Sequence, residues 1–259
     1  MTAVGRREEI AGNLDTSMLK LLALILMLTD HMGKMFFSSI PEMRIIGRMA
    51  FPLYAWCLVV GCVKTRNPLR YGGRMLALAL LSQPLYMMAL NHSWNEFNIL
   101  FTLLIALIAI QGIRMHKFAS QFWVPALCYL LLGFVNVDYG WKGFTFILLL
   151  YLARESRGGL AAAFLAYALY WGASSSGVTS LFGYSLEFLR WPGVGTVFGA
   201  FFRLQGMIWL SLPLIAVSTH SQIRLPHWLG YALYPLHLAL LILFRLMDGA
   251  TFAMLTRGF

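Results

Sequence analysis

Long apolar runs, separated by short polar connections, dominate the chain from residue 18 to residue 247. A helix needs about 20 mostly apolar residues to cross the hydrocarbon of a bilayer. The runs lack the alternation of apolar and polar residues that strands of a membrane barrel show. The pattern therefore predicts an all-α, polytopic integral membrane bundle with about nine or ten transmembrane helices. The candidate spans are 18–37, 46–63, 73–91, 97–114, 121–137, 140–153, 159–173, 205–219 and 228–247.

The segment 174–204 is the one part of the apolar region whose path the sequence leaves open. It starts with serines and is rich in glycine, so it is a re-entrant segment, an interfacial segment or a tenth span. Nine spans put the two chain ends on opposite sides of the membrane, and ten put them on the same side. We expect one transmembrane domain, 18–247, with an N-terminal segment, 1–17, and a C-terminal tail, 248–259.

Basic residues in the connections predict the orientation. The chain has 20 Lys and Arg against 10 Asp and Glu, and only 12% of its residues are charged. Connections after spans two, four and six are basic, as cytoplasmic loops are, whereas the intervening ones carry little charge. We therefore expect a cytoplasmic N-terminus and attribute the net charge to topology rather than to nucleic-acid binding. The basic residues of the first of these connections are Lys64, Arg66, Arg70 and Arg74.

Cysteines and the N-terminus give two further expectations. Cys57, Cys62 and Cys128 all lie in apolar runs, and their number is odd. They also lack the spacing of metal ligands, so we expect neither a disulfide framework nor a metal site. A polar stretch precedes the first run and no cleavage pattern follows it, which predicts a retained first helix.

Ionisable side chains within the spans are the main candidates for function, because a charge inside lipid is costly. Lys20 and His31 are 11 residues apart. At about 100° and about 1.5 Å per residue they share a helix face and lie roughly 16 Å apart along it. This arrangement suits a ligand with an anionic head and a reactive end deep in the bundle. Alternatively, Lys20 reaches lipid headgroups, Asp30 pairs with Lys34, and His31 is an ordinary core residue.

Other spans add polar residues at comparable depth. Arg48 opens the second span and is either an interfacial anchor or a partner of Asp30 or of a substrate. Pro52 predicts a kink in that span. Pro235 predicts a break midway along the last span, next to a second deep histidine, His237.

Candidates also lie at the span boundaries. Asn98 opens the fourth span, where it is either a helix cap or part of a site. Asp138 and Tyr139 form a turn at an outer boundary. Arg66 and Arg74 flank the basic connection, where topology explains them, although they also form a plausible phosphate site.

The motifs that contain these residues, taken in chain order, resemble those of the TraX family. The named member of that family acetylates the N-terminus of a conjugative pilin. That family looks related to the wider acyltransferase-3 group, whose first span carries a basic residue, ten residues and a histidine, as Lys20 and His31 do here. The residues carrying the resemblance are Asp30, His31, Gly47, Arg48, Phe51, Pro52, Arg66, Arg74, Phe97, Asn98, Asp138, Tyr139, Gly140, Trp141, Tyr234, Pro235, Leu236 and His237.

The resemblance implies a membrane acetyltransferase of the bacterial inner membrane, with cytoplasmic acetyl-CoA as donor and no metal. His31 would be the general base, Asp30 would hold Arg48 or another helix in place, and Arg48 or His237 would stabilise the oxyanion. The acceptor is a pilin N-terminus, a peptide, a lipid headgroup or a glycan, with membrane lipid as the surroundings. The expected substrate-binding residues are Lys20, Arg66, Arg70, Arg74, Asn98, Asp138, Tyr139, Tyr234 and His237.

Two other functions fit the sequence. In a transporter or channel, Asp30, His31 and His237 would form a proton relay, and 174–204 would re-enter the membrane. The sequence has no internal repeat, which counts against a transporter. A non-catalytic membrane scaffold is the third alternative.

Overall fold

A computed structural model describes residues 9–178 and 180–258 of the chain. Residues 1–8 of the predicted N-terminal segment lie outside the described residues, as do Thr179 and Phe259. The helices are α1 (Thr16–Met35), α2 (Pro41–Gly47), α3 (Ala50–Lys64), α4 (Pro68–Leu90), α5 (Ile99–Met115), α6 (Ser120–Leu132), α7 (Gly140–Ala153), α8 (Arg157–Ala173), α9 (Val194–Phe198), α10 (Leu212–Ala216), α11 (His227–Met247) and α12 (Phe252–Leu255). Four two-residue strands are β1 (Glu96–Phe97), β2 (Asn136–Val137), β3 (Ser180–Leu181) and β4 (Tyr184–Ser185).

The described residues form an all-α membrane bundle. Four helical stretches are long and apolar enough to cross a bilayer, namely α1, α2 with α3, α4, and the part of α11 from Trp228 to Met247. Shorter apolar helices complete the bundle, and a 3₁₀ segment, Gly206–Ser211, leads directly into α10. Large aromatic side chains fill the centre, including Phe51, Trp56 and Phe146. Apolar side chains such as Leu81 and Phe122 stay exposed on the outside, where lipid contact stabilises them.

Contacts between helix ends show which helices run in the same direction. Arg74, near the start of α4, bonds to Tyr231 near the start of α11. At the other end of the same two helices, Arg245 donates to the carbonyl of Met88 at 2.7 Å. Asp15, which caps α1, accepts from the backbone N–H of Ser221 just before α11. Hence α1, α4 and α11 are parallel, and their N-terminal ends share one face, which we call the Lys20 face.

The segment 174–204 does not supply a tenth span in its described part. It holds the β3–β4 hairpin, a 3₁₀ turn at Glu187–Arg190 and the five-residue α9. A helix of that length rises about 7.5 Å, against about 30 Å of hydrocarbon. Nine passes across the bundle therefore remain among the described residues, so the chain ends opposite the Lys20 face.

The second pass has the expected kink, and two other expectations about the helices were wrong. The second pass breaks at Arg48 and Met49, one turn before Pro52, because proline lacks the N–H that would bond to the carbonyl of residue 48. The last helix continues through Pro235. The span expected over 121–137 ends at Leu132, since the following residues turn and form β2.

A short parallel ladder ties two connections together on the face opposite Lys20. Glu96 pairs with Asn136 and Phe97 with Val137. The ladder fixes the chain just before α5 and just before α7. It therefore sets the position of Asp138, whose backbone N–H donates to the carbonyl of Phe97 at 2.9 Å.

Candidate functional site

A buried ion cluster joins α1 to the second pass. One guanidinium nitrogen of Arg48 lies 2.6 Å from both carboxylate oxygens of Asp30. Arg44 adds a contact of 3.3 Å to the same carboxylate. Lys34 is exposed and makes no ion pair with Asp30 among the described residues. The carboxylate is thus neutralised by arginines from α2 and the break that follows it.

Gly47 makes this contact possible. A Cβ atom at residue 47 would collide with the backbone and Cβ of Asp30, so only glycine allows the two helices to approach this closely. The close approach brings the break between α2 and α3 against the last turns of α1. Arg48 consequently reaches Asp30 from within the bundle.

Two histidines meet in the interior beside this cluster. The rings of His31 on α1 and His237 on α11 stack with centroids 5.8 Å apart and planes inclined by 10°. Within the part of the chain that the structure describes, Nδ1 of His31 is buried without a hydrogen-bond partner, whereas the ring of His237 lies near the backbone of Leu233 and Tyr234. Buried polar atoms in proteins nearly always have partners, so Nδ1 of His31 is available to a ligand or to water.

A small cavity of about 30 Å³ lies against His31. It offers space comparable to one water molecule. Its polar lining includes Asp30, His31 and Asp138, and its apolar lining includes Phe51 and Ile99. Three tyrosines that also contribute to the wall are Tyr86, Tyr139 and Tyr234.

A larger cavity of about 200 Å³ lies between the small one and the Lys20 face. Lys20 lines it near the start of α1, together with Tyr71 and Tyr231. Tyr54, Ile99 and Tyr234 line both cavities, so the two are adjacent. They follow the face of α1 from Lys20 to His31.

The basic residues predicted to bind phosphate lie on the Lys20 face, outside the cavity lining. Arg66 and Arg70 are exposed. Arg74 is exposed too, but its Nε donates to the hydroxyl of Tyr231 at 3.0 Å, and Tyr231 belongs to the wall. Of these three arginines, Arg74 is the one that bonds to the cavity wall among the described residues.

Asn98 lies apart from the cavities and has structural partners. Its amide nitrogen donates to the carbonyl of Ala79 and to Gln83, each at 2.9 Å. Its side-chain oxygen caps α5 by accepting from the N–H of Leu100. The helix-cap alternative accounts for these contacts, so we leave Asn98 out of the functional set proposed below.

Asp138 and Tyr139 lie at the start of α7 and line the small cavity. The ring of Tyr139 stacks on Phe51 with centroids 4.2 Å apart. Its backbone adopts a left-handed φ of +62°, which is uncommon outside glycine. Burial raises the pKa of the Asp138 carboxyl, whereas the charge of Arg48 acts in the opposite direction.

Sequence reasoning missed two tyrosines of the site. Tyr54 lines both cavities, and Tyr86 lines the small one and stacks on His92 at 4.8 Å. An aromatic residue within an apolar run usually packs in the core, so neither position carried a signal. Among the described residues, no group of three His, Cys, Asp or Glu side chains is placed to hold a metal ion.

Comparisons with known proteins identify relatives. A family model described as TraX protein matches residues 15–245. The chain is 33% identical over 163 residues to a probable fimbrial assembly protein FimC, serogroup H1, of Dichelobacter nodosus. That match covers 56% of this chain and 65% of the relative's length. No solved structure matches the chain.

Proposed function

This chain belongs to the TraX family, and from that premise we propose that it is a membrane acetyltransferase. It would move an acetyl group from cytoplasmic acetyl-CoA to an amine or hydroxyl acceptor, with a pilin N-terminus as the leading candidate. The name of the fimbrial relative supports a pilin-related role. The family resemblance supplies the reaction, and the site supplies the residues that would carry it.

The observation that carries the proposal is the pair of adjacent cavities. The larger cavity is lined by Lys20 and by Tyr231, which bonds to the guanidinium of Arg74. Both cationic groups suit the phosphates of coenzyme A. The smaller one meets His31. A donor that binds by its phosphates at the Lys20 face would extend its thioester towards the histidine.

His31 is the proposed general base. Its imidazole would take a proton from the acceptor as the acceptor nitrogen or oxygen attacks the thioester carbonyl. The C–S bond then breaks, coenzyme A leaves as the thiolate, and the thiolate takes up a proton. His237, whose ring stacks on that of His31, would donate the N–H of its neutral imidazole to the developing oxyanion.

Asp30 and Arg48 have a positioning role in this proposal. Because one Arg48 nitrogen is held between both carboxylate oxygens, Asp30 is not free to act as a base. The same pairing disfavours the proton-relay alternative, in which Asp30 would have to exchange protons with His31. The ion pair instead fixes α1 against the second pass and so holds His31 in place.

Purified protein in detergent would test the proposal. We expect saturable binding of acetyl-CoA, and release of free coenzyme A thiol when triglycine is added as an amine acceptor. The His31→Ala variant should bind the donor but release no thiol above background. A protein that fails to bind acetyl-CoA would contradict the enzyme. Proton flux into liposomes that depends on His31 and His237 would favour a transporter instead.

A further inference from the structure

The connection that follows α8, residues 174–204, exposes large aromatic side chains. The sequence from 180 to 198 has one acid and one base, Glu187 and Arg190, so it carries little charge. Exposed apolar surface of this extent marks a contact with a partner or with a membrane. The aromatic surface consists of four side chains that are between 50% and 78% exposed, namely Phe182, Tyr184, Trp191 and Phe198.

This connection lies on the face opposite Lys20, because the passes on both sides of it reach the Lys20 face at their other ends. Arg157, which begins α8, donates to the carbonyl of Ala11 at 3.0 Å. Asn13 donates to the carbonyl of Leu214 in α10 at 2.9 Å. Ala11 and Asn13 both come shortly before α1. Residues 174–204 therefore belong to the predicted external face.

The pass that follows the connection is too short to span the full hydrocarbon. The 3₁₀ segment Gly206–Ser211 and α10 together rise about 20 Å, against about 30 Å of hydrocarbon. Because Leu214 is level with Asn13, the missing length of roughly 10 Å lies at the external end of the pass. The connection consequently enters this pass from within the outer leaflet rather than from above it.

Close packing against the end of α8 holds the connection at this depth. The carbonyl oxygen of Ala200 occupies the space that a Cβ atom would need on Gly172 or on Gly206. Glycine at both positions therefore lets the connection fold tightly against α8 and the start of the next pass. Arg203 adds a hydrogen bond of 3.0 Å to the carbonyl of Ala173, the last residue of α8.

The backbone of the connection forms many of its hydrogen bonds internally. Val178 donates its N–H to the carbonyl of Phe202 at 3.1 Å, and Leu204 donates to Ser176 at 2.9 Å. The β3–β4 ladder and the 3₁₀ turn Glu187–Arg190 satisfy further groups. Irregular backbone exposed to lipid does not occur in the hydrocarbon itself. The boundary between hydrocarbon and headgroups, where water still reaches polar groups, accommodates such a segment.

We propose that the aromatic surface inserts into the boundary between headgroups and hydrocarbon of the outer leaflet. Tryptophan and tyrosine favour this layer, because their rings are apolar and carry one polar group that stays hydrated. Residues 174–204 are then an interfacial segment whose partner is lipid. This inference is independent of the acetyl transfer proposed above.

The lipid contact is connected to the ion cluster through α2. Phe182 donates its backbone N–H to the carboxylate of Glu42, in the first turn of α2, at 3.0 Å. The same helix ends at Gly47, which packs against Asp30. The aromatic surface therefore fixes the depth of the element that carries the ion cluster.

Depth-dependent quenching of a fluorescent label tests the proposal in proteoliposomes. The label is attached to Tyr184→Cys or Phe198→Cys, after the buried native cysteines are replaced by alanine. The phosphatidylcholine of the vesicles carries bromine either near the headgroup or near the end of the acyl chains. We expect the largest loss of fluorescence with bromine near the headgroup, because that is the layer in which the aromatic surface would lie.

Two matched controls calibrate the depth. Leu81→Cys, at an exposed position midway along α4, should lose most fluorescence to bromine near the end of the chains. Asn95→Cys, at an exposed position in the connection after α4, should respond to iodide in the water and not to bromine. Labels at Tyr184 and Phe198 that behave like Asn95→Cys would overturn the proposal, since the surface would then face water. Labels that behave like Leu81→Cys would also overturn it, since the segment would then re-enter the membrane.

Cross-linking distinguishes lipid from a second copy of the chain. With Tyr184→Cys and a short bismaleimide, we expect cross-linked dimers to disappear as the protein is diluted with lipid. Dimers that persist on dilution, together with weak quenching by either brominated lipid, would assign the aromatic surface to a second copy and contradict the lipid contact.

Discussion

Arg48 places one guanidinium nitrogen 2.6 Å from each carboxylate oxygen of Asp30, and this contact joins α1 to the break between α2 and α3. Both side chains are buried. Asp30→Asn should therefore lower the free energy of unfolding by about 3–5 kcal/mol, because it leaves an uncompensated buried charge. Thermal unfolding in detergent measures the loss.

The paired substitution Asp30→Leu with Arg48→Met is the matched control. It removes the charges of Asp30 and Arg48 together and should be less destabilising than Asp30→Asn alone, since the buried Arg48 charge no longer lacks a partner and Arg44, which also loses its partner, is partly exposed. A double variant as unstable as the sum of its single variants would show that the pair is not energetically coupled.

His31→Ala should reduce acetyl transfer by about 10²- to 10⁴-fold, the contribution of a general base. Donor affinity should stay within a factor of a few, because the phosphates bind at the Lys20 face. The measurement is thiol release at saturating acetyl-CoA, with a binding isotherm for the same preparation. His116→Asn is the control for loss of an imidazole. The variant should fold, because asparagine tolerates the left-handed backbone conformation of residue 116. Near-normal turnover by His31→Ala would remove His31 from the mechanism.

Arg66→Lys and Arg74→Lys should each weaken acetyl-CoA binding by roughly 1–3 kcal/mol, because lysine cannot reproduce the bidentate contact of a guanidinium with phosphate. Charge is conserved, so expression and orientation should not change. Lys64→Arg is the control and should have almost no effect. Isotherms at fixed salt are needed, since ions screen such contacts. Equal, small effects at all three positions would mean that these charges only set topology.

The contact of Arg74 with Tyr231 also predicts that donor binding by Arg74, but not by Arg66, depends on the hydroxyl of Tyr231. Tyr231→Phe removes the hydrogen bond and should lower acetyl-CoA affinity in the background of Arg74, but not in that of Arg74→Lys. Arg66 has no such wall contact among the described residues. A loss of affinity from Tyr231→Phe that is the same in both backgrounds would argue against positioning through Arg74.

Orientation can be tested by labelling single cysteines in sealed vesicles. A cysteine at Asn67 should react only from the cytoplasmic side, and one at Asn95 only from the external side, because the first lies in a basic connection and the second does not. Both positions are exposed. The native cysteines are buried and can be replaced by alanine. Labelling of the cysteine at Asn67 from the external side would mean that the donor binds on the side opposite to the one proposed.

Asp15 predicts a contribution to stability that depends on pH. Burial alone would raise the pKa of Asp15, but hydrogen bonds from Ser221 and from the N–H of Met18 hold it below the usual value of 3.8. A lowered pKa in the folded state stabilises the protein above the unfolded pKa, and that stabilisation disappears as the pH falls through the folded value. It should therefore be complete at neutral pH, begin to fall near pH 3.8, and be lost only at the lower pH at which Asp15 is protonated in the folded protein as well.

Asp15→Asn should remove this dependence. At neutral pH its melting temperature should lie no more than about 4 °C below that of the unmodified protein, since an exposed charged contact contributes at most about 1 kcal/mol. The gap should close on acidification, and melting curves across pH measure it. A gap that persists once Asp15 is protonated in the folded protein would show that the effect does not come from its charge.

Much of the fold follows from the sequence because lipid forces backbone polar groups to bond within each helix. The length of an apolar run therefore nearly determines whether that run crosses the bundle. The β1–β2 ladder could not be predicted, since two-residue strands have no periodicity. Pro235 misled the expectation because a helix packed against neighbours tolerates the loss of one backbone donor.

The candidate site was predictable from the sequence only at charged or polar residues, which are unfavourable in lipid. Asp30, His31 and Arg48 stand out for their charge or polarity, and helix geometry already put Arg48 near the depth of His31. Tyr54 and Tyr86 did not stand out, because an interior tyrosine fits an apolar run. Their place in the cavity wall depends on how distant helices pack, which no local pattern encodes.

Tyr54, Ile99 and Tyr234, the three side chains common to both cavities, form a partition between two spaces. We expect this partition to prevent ions from leaking through the protein, so that the ion gradient across the membrane is maintained. The acetyl group would cross from one side of the membrane to the other, whereas hydrated ions would not. Replacing Tyr234 with glycine should then convert a tight protein into a leaky one, detectable as collapse of a potential across proteoliposomes.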